Sequence, residues 1–228
     1  MTDLVDTTEM YLRTIIDLEE EDIPPFRARI SERLGHSGPT VSQTVARMER
    51  DGLLVVEADR QLALTKKGRQ KAIEVTRKHR LAERLLADVI GLDWSLVHEE
   101  ACRWEHVMSE QVERKLIAML GKPTESPYGN PIPAMESIGG PTSEKFLAGV
   151  IRVTDFATTE PRSGILRRLG EPAQVDPEVL KTLHLAGIVP GARVEVTEMP
   201  DGYQLDAEGP QAAVVVPAEL AHHLYLAQ

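Results

Sequence analysis

The run His98-Glu99-Glu100-Ala101-Cys102-Arg103-Trp104-Glu105-His106 concentrates metal-binding side chains. If it is helical, His98, Cys102, Glu105 and His106 fall at i, i+4, i+7 and i+8, which is one face. That face carries two imidazoles, a carboxylate and the only cysteine of the chain. His79 and Glu83 make a second i, i+4 pair upstream. Nitrogen, oxygen and sulfur donors gathered this way suit a first-row transition metal. One cysteine is too few for an ordinary structural zinc site, and calcium or magnesium would take oxygen alone. Fe(II), Mn(II), Co(II) and Ni(II) remain, and affinity order does not choose among them. Singly, each residue has a plainer use, such as a surface histidine, a small buried thiol or, for Met10, core filling. As a set they converge on one patch.

A second kind of chemistry lies nearer the N-terminus. Residues 25–80 hold 13 Lys/Arg against 6 Asp/Glu, although the whole chain carries a net charge of -10. Arg27 to Arg50 reads as a short helix, a glycine-bearing turn and a second helix, the layout of a helix-turn-helix. Small residues at the start of a recognition helix let its backbone approach base edges, and Ser37, Pro39, Thr40 and Ser42 supply them. Gln43 has an amide that can donate and accept on a base edge. Arg27, Arg29, Arg47, Arg50 and Arg60 are placed to meet phosphates. The plainer alternative is a helical hairpin with a solvated basic face.

The elements that must position these groups follow from periodicity. Residues 4–20 place Tyr11, Ile15 and Leu18 on one side of a helix, which Pro24-Pro25 stops. Helices are expected over about Arg27–Leu34 and from near Pro39 to Asp51-Gly52, with Ser37 as N-cap candidate. Leu53–Val56 and Gln61–Leu64 read as a two-stranded wing. A long helix follows from Thr65 to about Ile90, then helices over Trp94–Val107 and Glu110–Leu120. Residues 121–142 contain five prolines and read as a stiff, partly extended linker. Short strands are expected over Ala148–Asp155, Ala192–Glu198, Gln204–Ala207 and Ala212–Val216, with a hairpin turn at Pro200-Asp201-Gly202 and a brief helix or turn after Pro217. The fold class expected is mainly α with small β parts: winged helix-turn-helix over 1–73, a helical metal-binding and dimerisation domain over 74–140, and an SH3-like β-barrel over 141–228. No apolar stretch is long enough to span a membrane, and the lone cysteine and acidic start fit a reducing cytoplasm.

Residues 1–140 resemble the diphtheria toxin repressor family of iron-dependent regulators. The resemblance rests on four runs: Asp3 to Ile15, Ser37 to Leu53, Lys78 to Leu86 and Glu100 to Ser109. It implies a winged-helix domain, a dimerisation domain and an SH3-like third domain, with two metal sites per subunit. One site would use Met10, Cys102, Glu105 and His106, with the backbone carbonyl of Cys102. The other would use His79, Glu83 and His98, completed by Glu171 and Gln174 from the third domain, which matches more loosely. A cysteine at position 102 favours the iron branch over the manganese branch.

The function expected is an Fe(II)-activated repressor that binds palindromic double-stranded operator DNA as a homodimer, with Mn(II), Co(II), Ni(II) or Zn(II) able to substitute. Part of the Leu-rich stretch Leu81–Leu92 is expected to lie in a dimer interface. The proline-rich linker is either captured by the third domain or a plain tether. Rival readings are a metalloenzyme, against which no general base, phosphate loop or nucleophile elbow is found, and a redox sensor built on Cys102.

Overall fold

The computed structural model describes residues 6–207 and 213–228, so the Asp3–Val5 part of the resemblance and the expected strand residue Ala212 lie outside it. The first helix, α1 (Thr7–Glu20), is capped by Asp6, whose carboxylate accepts from the Thr8 and Glu9 amides. α2 (Arg27–Leu34) closes on Gly35 in the left-handed region. Ser37 then caps α3 (Gly38–Arg50), which has proline in its first turn. Val41, Val45 and Met48 face inward at a helical period and pack with Tyr11, Leu12, Ile15 and Leu18. The wing is β1 (Leu54–Val56) paired antiparallel with β2 (Leu62–Leu64), as the alternation suggested.

α4 (Lys66–Leu85) starts at a Thr65 cap and runs on into a π-helical turn over Leu86–Ile90. Its Gly68 passes so close to the wing that a Cβ there would lie 1.8 Å from the Leu53 carbonyl oxygen. The expected Trp94–Val107 helix is shorter. A 3₁₀ turn over Trp94–Leu96 leads into α5 (Val97–Trp104), so Glu105 and His106 sit in the turn that ends the helix. α6 (Glu110–Met119) follows and is tied to α4 by a buried Arg77–Glu113 ion pair at 2.8 Å.

The third part is a six-stranded antiparallel sheet in the order β3-β8-β4-β5-β6-β7. Its strands are β3 (Val150–Arg152), β4 (Arg162–Leu169), β5 (Arg193–Met199), β6 (Gly202–Ala207), β7 (Val214–Val216) and β8 (Leu224–Ala227). The strand expected over Ala148–Asp155 is cut short by a helical turn from Val153. β4, β8 and the helix Pro177–Leu185 were not expected from the sequence.

The proline-rich segment is captured. Tyr128, Ile132 and Met135 are fully buried in one apolar cluster shared by α4, α5, α6 and the sheet. The Leu169 amide of β4 donates to the Tyr128 carbonyl at 3.0 Å, and the Tyr128 hydroxyl donates to the Trp94 carbonyl at 2.8 Å. The Leu81–Leu92 stretch is divided between core and surface. Leu81, Ala82 and Leu86 are buried within this chain, leaving Val89 and Ile90 exposed.

Candidate metal centre

Three elements converge on the donors. α4 presents His79 and Glu83 one turn apart, α5 presents His98 and Cys102 one turn apart, and the turn after α5 presents Glu105 and His106. His79 is the hub. Its Nδ1 lies 2.6 Å from Glu105 Oε2, and its Nε2 lies 2.8 Å from Glu83 Oε1 and 3.2 Å from His98 Nδ1. Cys102 Sγ is 3.7 Å from His98 Nε2. Donor atoms of His79, His98 and Cys102 all lie within 4.8 Å of one another. His106 Nδ1 contacts Glu9 Oε2 of α1 at 2.7 Å, and its Nε2 is 3.5 Å from Glu105 Oε1.

Burial sets the electrostatics. Although burial penalises its charged form, the Cys102 thiol is held well below its ordinary value by the neighbouring His98 and by Arg13. Burial opposes the charge on His98 too, yet Cys102 and Glu83 push it up to about 9. Glu83 is held far below the carboxylate range by His79 and His98, and Glu105 is lowered by Arg13 and His79, in both cases against the opposing effect of burial. The result is a set of buried carboxylates and a half-buried thiolate with imidazoles between them. Among the described residues, Glu83 Oε2, Glu105 Oε1 and His106 Nε2 are buried without a hydrogen-bond partner. Unsatisfied buried acceptors carry a desolvation cost that coordination to a cation relieves. The donor set therefore fits a divalent first-row metal.

Three expected ligands behave differently. Met10 packs against the N-terminal apolar cluster, one residue along α1 from the Glu9 that reaches His106. Glu171 accepts from Arg33 of α2 at 2.9 Å, and the Gln174 amide donates to the Leu169 carbonyl at 2.7 Å. Among the described residues, no hydrogen bond joins Glu171 or Gln174 to His79, Glu83 or His98. The expected pairs of site residues also mingle, because His79 touches Glu105 as well as Glu83 and His98.

Two residues that touch the cluster, Glu9 and Arg13, were missed by reading the sequence. Arg13 of α1 puts Nη2 3.3 Å from Cys102 Sγ, Nη1 3.5 Å from His79 Nε2 and Nε 3.4 Å from Glu105 Oε1. Its place at i+3 from Met10 was the available signal.

The nucleic-acid candidates occupy a separate surface. Ser37, Pro39, Thr40, Ser42, Gln43, Arg47 and Arg50 are exposed at the start and outer side of α3. Arg47 also approaches the Thr8 hydroxyl of α1 at 3.4 Å. Arg60 is exposed at the wing tip, Arg29 is exposed but paired with Glu32, and Arg27 is half-buried.

Comparison with known proteins agrees across the chain. Residues 3–62 match the family model described as the iron dependent repressor N-terminal DNA binding domain. Residues 65–134 match its metal binding and dimerisation domain, and 148–227 match the diphtheria toxin repressor SH3 domain. The iron-dependent repressor IdeR of Mycobacterium tuberculosis (strain ATCC 25618 / H37Rv) is 56% identical over 223 residues, 97% of each chain. The diphtheria toxin repressor of Corynebacterium diphtheriae is 52% identical over 222 residues, again 97% of each. Among solved structures, T. acidophilum IdeR superposes with a TM-score of 0.75 at 25% identity, covering 98% of both chains. A manganese-dependent transcriptional repressor in complex with manganese shares the fold, with a TM-score of 0.79 at 24% identity over 97% of this chain and 100% of that one.

Proposed function

The chain belongs to the diphtheria toxin repressor family of iron-dependent regulators, and from that premise we propose that Fe(II), held in the buried donor cluster, switches it onto palindromic operator DNA as a homodimer. It is a metal-dependent transcriptional repressor rather than an enzyme. The observation that carries the reading is the meeting of α1, part of the DNA-binding unit, with the α4 and α5 donors through Glu9–His106 and Arg13–Cys102.

Two sites per subunit are proposed. Met10, Cys102, Glu105 and His106 would hold one ion, and His79, Glu83 and His98, with Glu171 and Gln174, the other. Bound there, a divalent ion supplies a cross-link between α1 and the α4–α5 core. Mn(II), Co(II), Ni(II) or Zn(II) can occupy the same donors, since the mixed nitrogen, oxygen and sulfur set is not exclusive. His79, between Glu105 and Glu83, couples the two donor groups. On α3, Ser37, Pro39, Thr40, Ser42 and Gln43 would face base edges. Arg27, Arg29, Arg47, Arg50 and the wing-tip Arg60 would face phosphates.

The division into 1–73, 74–140 and 141–228 and a cytoplasmic setting belong to the same proposal. So does a dimer face around the exposed Val89, Ile90, Leu96, Val107, Val112 and Met119. No helix among the described residues is long and apolar enough to cross a membrane.

A ligand shifts such an equilibrium only by its differential affinity for the two states, and a few kcal/mol, about 3–5, moves the population decisively. Fluorescence anisotropy of a palindromic operator duplex tests the reading in three arms: Fe(II), chelator and oxidant. Affinity should rise with Fe(II) and vanish with chelator. Met10→Ala should lose the metal response while keeping its fold. A response to oxidant without one to Fe(II) would instead support redox sensing at Cys102.

A further inference from the structure

We propose that Arg13 is the internal counter-cation of the donor cluster, holding Cys102 and Glu105 together without metal and withdrawing from them when a divalent ion is taken up. The proposal rests on the metal-dependent reading above and assigns a positioning role to a residue outside either ligand set.

The geometry is that of a cation beside a thiolate and a carboxylate. The guanidinium is almost wholly buried, and three of its nitrogens lie 3.3–3.5 Å from Cys102 Sγ, His79 Nε2 and Glu105 Oε1. Cys102 Sγ accepts from Arg13 Nη2, whereas Arg13 Nε and Glu105 Oε1 both lack a hydrogen-bond partner among the described residues. A guanidinium held mainly by charge, with unused donor capacity, can be exchanged for another cation. A metal bonded to this thiolate would sit about 2.3 Å from sulfur. It would then share with Arg13 a space that one buried charge already fills, and like charges at such separations in a low-dielectric interior repel strongly.

Arg13 also has somewhere to go. Asp17, one turn further along α1, lies 4.0 Å from Nη1, and Glu171 adds its field from the third domain. Asp17 Oδ2 is buried without a hydrogen-bond partner among the described residues, so an approaching guanidinium finds an acceptor that gains from it. Withdrawal toward Asp17 keeps the charge buried beside an acid and frees Cys102 and Glu105. Because Arg13 and Met10 share α1, the exchange is felt in the helix that joins the DNA-binding unit to the core.

The two roles open to a buried arginine predict opposite signs. A counter-cation competes with metal, so Arg13→Gln should bind tighter. A pillar that orients the ligands supports metal, so the same change should weaken binding. Co(II) titration of the full-length protein, read by its thiolate-to-metal absorption band against a competing chelator, measures the affinity. For Arg13→Gln we expect affinity to rise about tenfold, the worth of one lost charge contact of ordinary strength. We also expect the metal-free melting temperature to fall while the Co(II)-loaded one stays near wild type. Unchanged or weaker Co(II) binding by Arg13→Gln beside normal wild-type binding overturns the role of Arg13 alone. Wild-type protein that takes up no Co(II) overturns both this proposal and the functional reading.

If Arg13→Gln does not fold, wild-type protein labelled with ¹⁵N-arginine decides. Zn(II), which is diamagnetic and does not broaden nearby signals as Co(II) does, is the ion to use: the Arg13 Nε–H signal should shift with Zn(II) while that of Arg77, paired with Glu113, stays. An Arg13 signal unmoved by saturating Zn(II) would overturn the proposal.

Discussion

At the scale of single residues, His79 carries the most. Both of its ring nitrogens are engaged, one toward Glu105 and the other toward Glu83 and His98. An imidazole so placed either ligates or fixes the tautomer and orientation of its neighbours, and both roles make it indispensable. His79→Ala should therefore weaken Co(II) uptake at both donor groups, by about 100-fold, the upper range for loss of a supporting partner in a metal site. Two independent sites would instead leave the cysteine-associated absorption band intact. Titration of the variant, read at the thiolate band and at the weaker ligand-field bands separately, distinguishes the outcomes. Cys102, Glu105, His106, His79, Glu83 and His98 were all legible as donors from i, i+4 spacing. Their partition was not, because spacing along one helix says nothing about which side chains of a second helix interleave with it.

At the scale of elements, the fit of α4 against the wing depends on Gly68. With 1.8 Å between a Cβ there and the Leu53 carbonyl oxygen, Gly68→Ala must push helix and strand apart. The Thr65 cap and the Thr65 amide bond to that same Leu53 carbonyl would be strained with them. Overpacking of this kind costs about 2–3 kcal/mol, more than the helix propensity gained from alanine returns. Chemical denaturation should show a lower midpoint for the variant, and a midpoint at or above wild type would refute the close approach. The elements of the first 120 residues could be read from sequence because each buries one face at a clear helical or strand period, between proline and glycine stops. The third part was less legible. β4 runs Arg162-Ser-Gly-Ile-Leu-Arg-Arg-Leu169, where basic residues mask the alternation. Arg168 is completely buried there, stacked over Phe146 and near Glu125 and Glu144, which no hydropathy pattern anticipates. β8 was hidden by its position after a short helical turn. Glu105 and His106 were placed on the helix because nothing in Arg103-Trp-Glu-His marks its end one residue earlier.

At the scale of the whole molecule, the third part is fastened to the winged helix through Glu21. This carboxylate, at the end of α1, is almost fully buried and accepts from Arg33 at 3.0 Å and from the Tyr225 hydroxyl at 2.8 Å, with His223 Nδ1 at 2.5 Å. The Arg152 guanidinium donates to the Glu21 backbone carbonyl, and Arg33 also reaches Glu171. Burial alone would raise the Glu21 carboxyl, but His223 and Arg33 hold it below its ordinary value of 4.5. A carboxyl lowered in the folded state stabilises it fully above that ordinary value, and the contribution disappears as pH falls through the lowered folded value. The junction should accordingly hold at neutral pH and loosen in acid. Glu21→Gln should cost about 2–3 kcal/mol at pH 7, near the lower end for breaking a buried charge pair, because Arg33 keeps Glu171. That cost should shrink toward zero in acid, where wild-type Glu21 is itself protonated and the two proteins become alike. Urea unfolding of both proteins across this range, with limited proteolysis of the 140–148 segment as a second readout, checks the expectation. An equal penalty at pH 7 and at pH 3 would mean that Glu21 acts by shape alone, and its charge would have no part in joining the third domain to the DNA-binding unit.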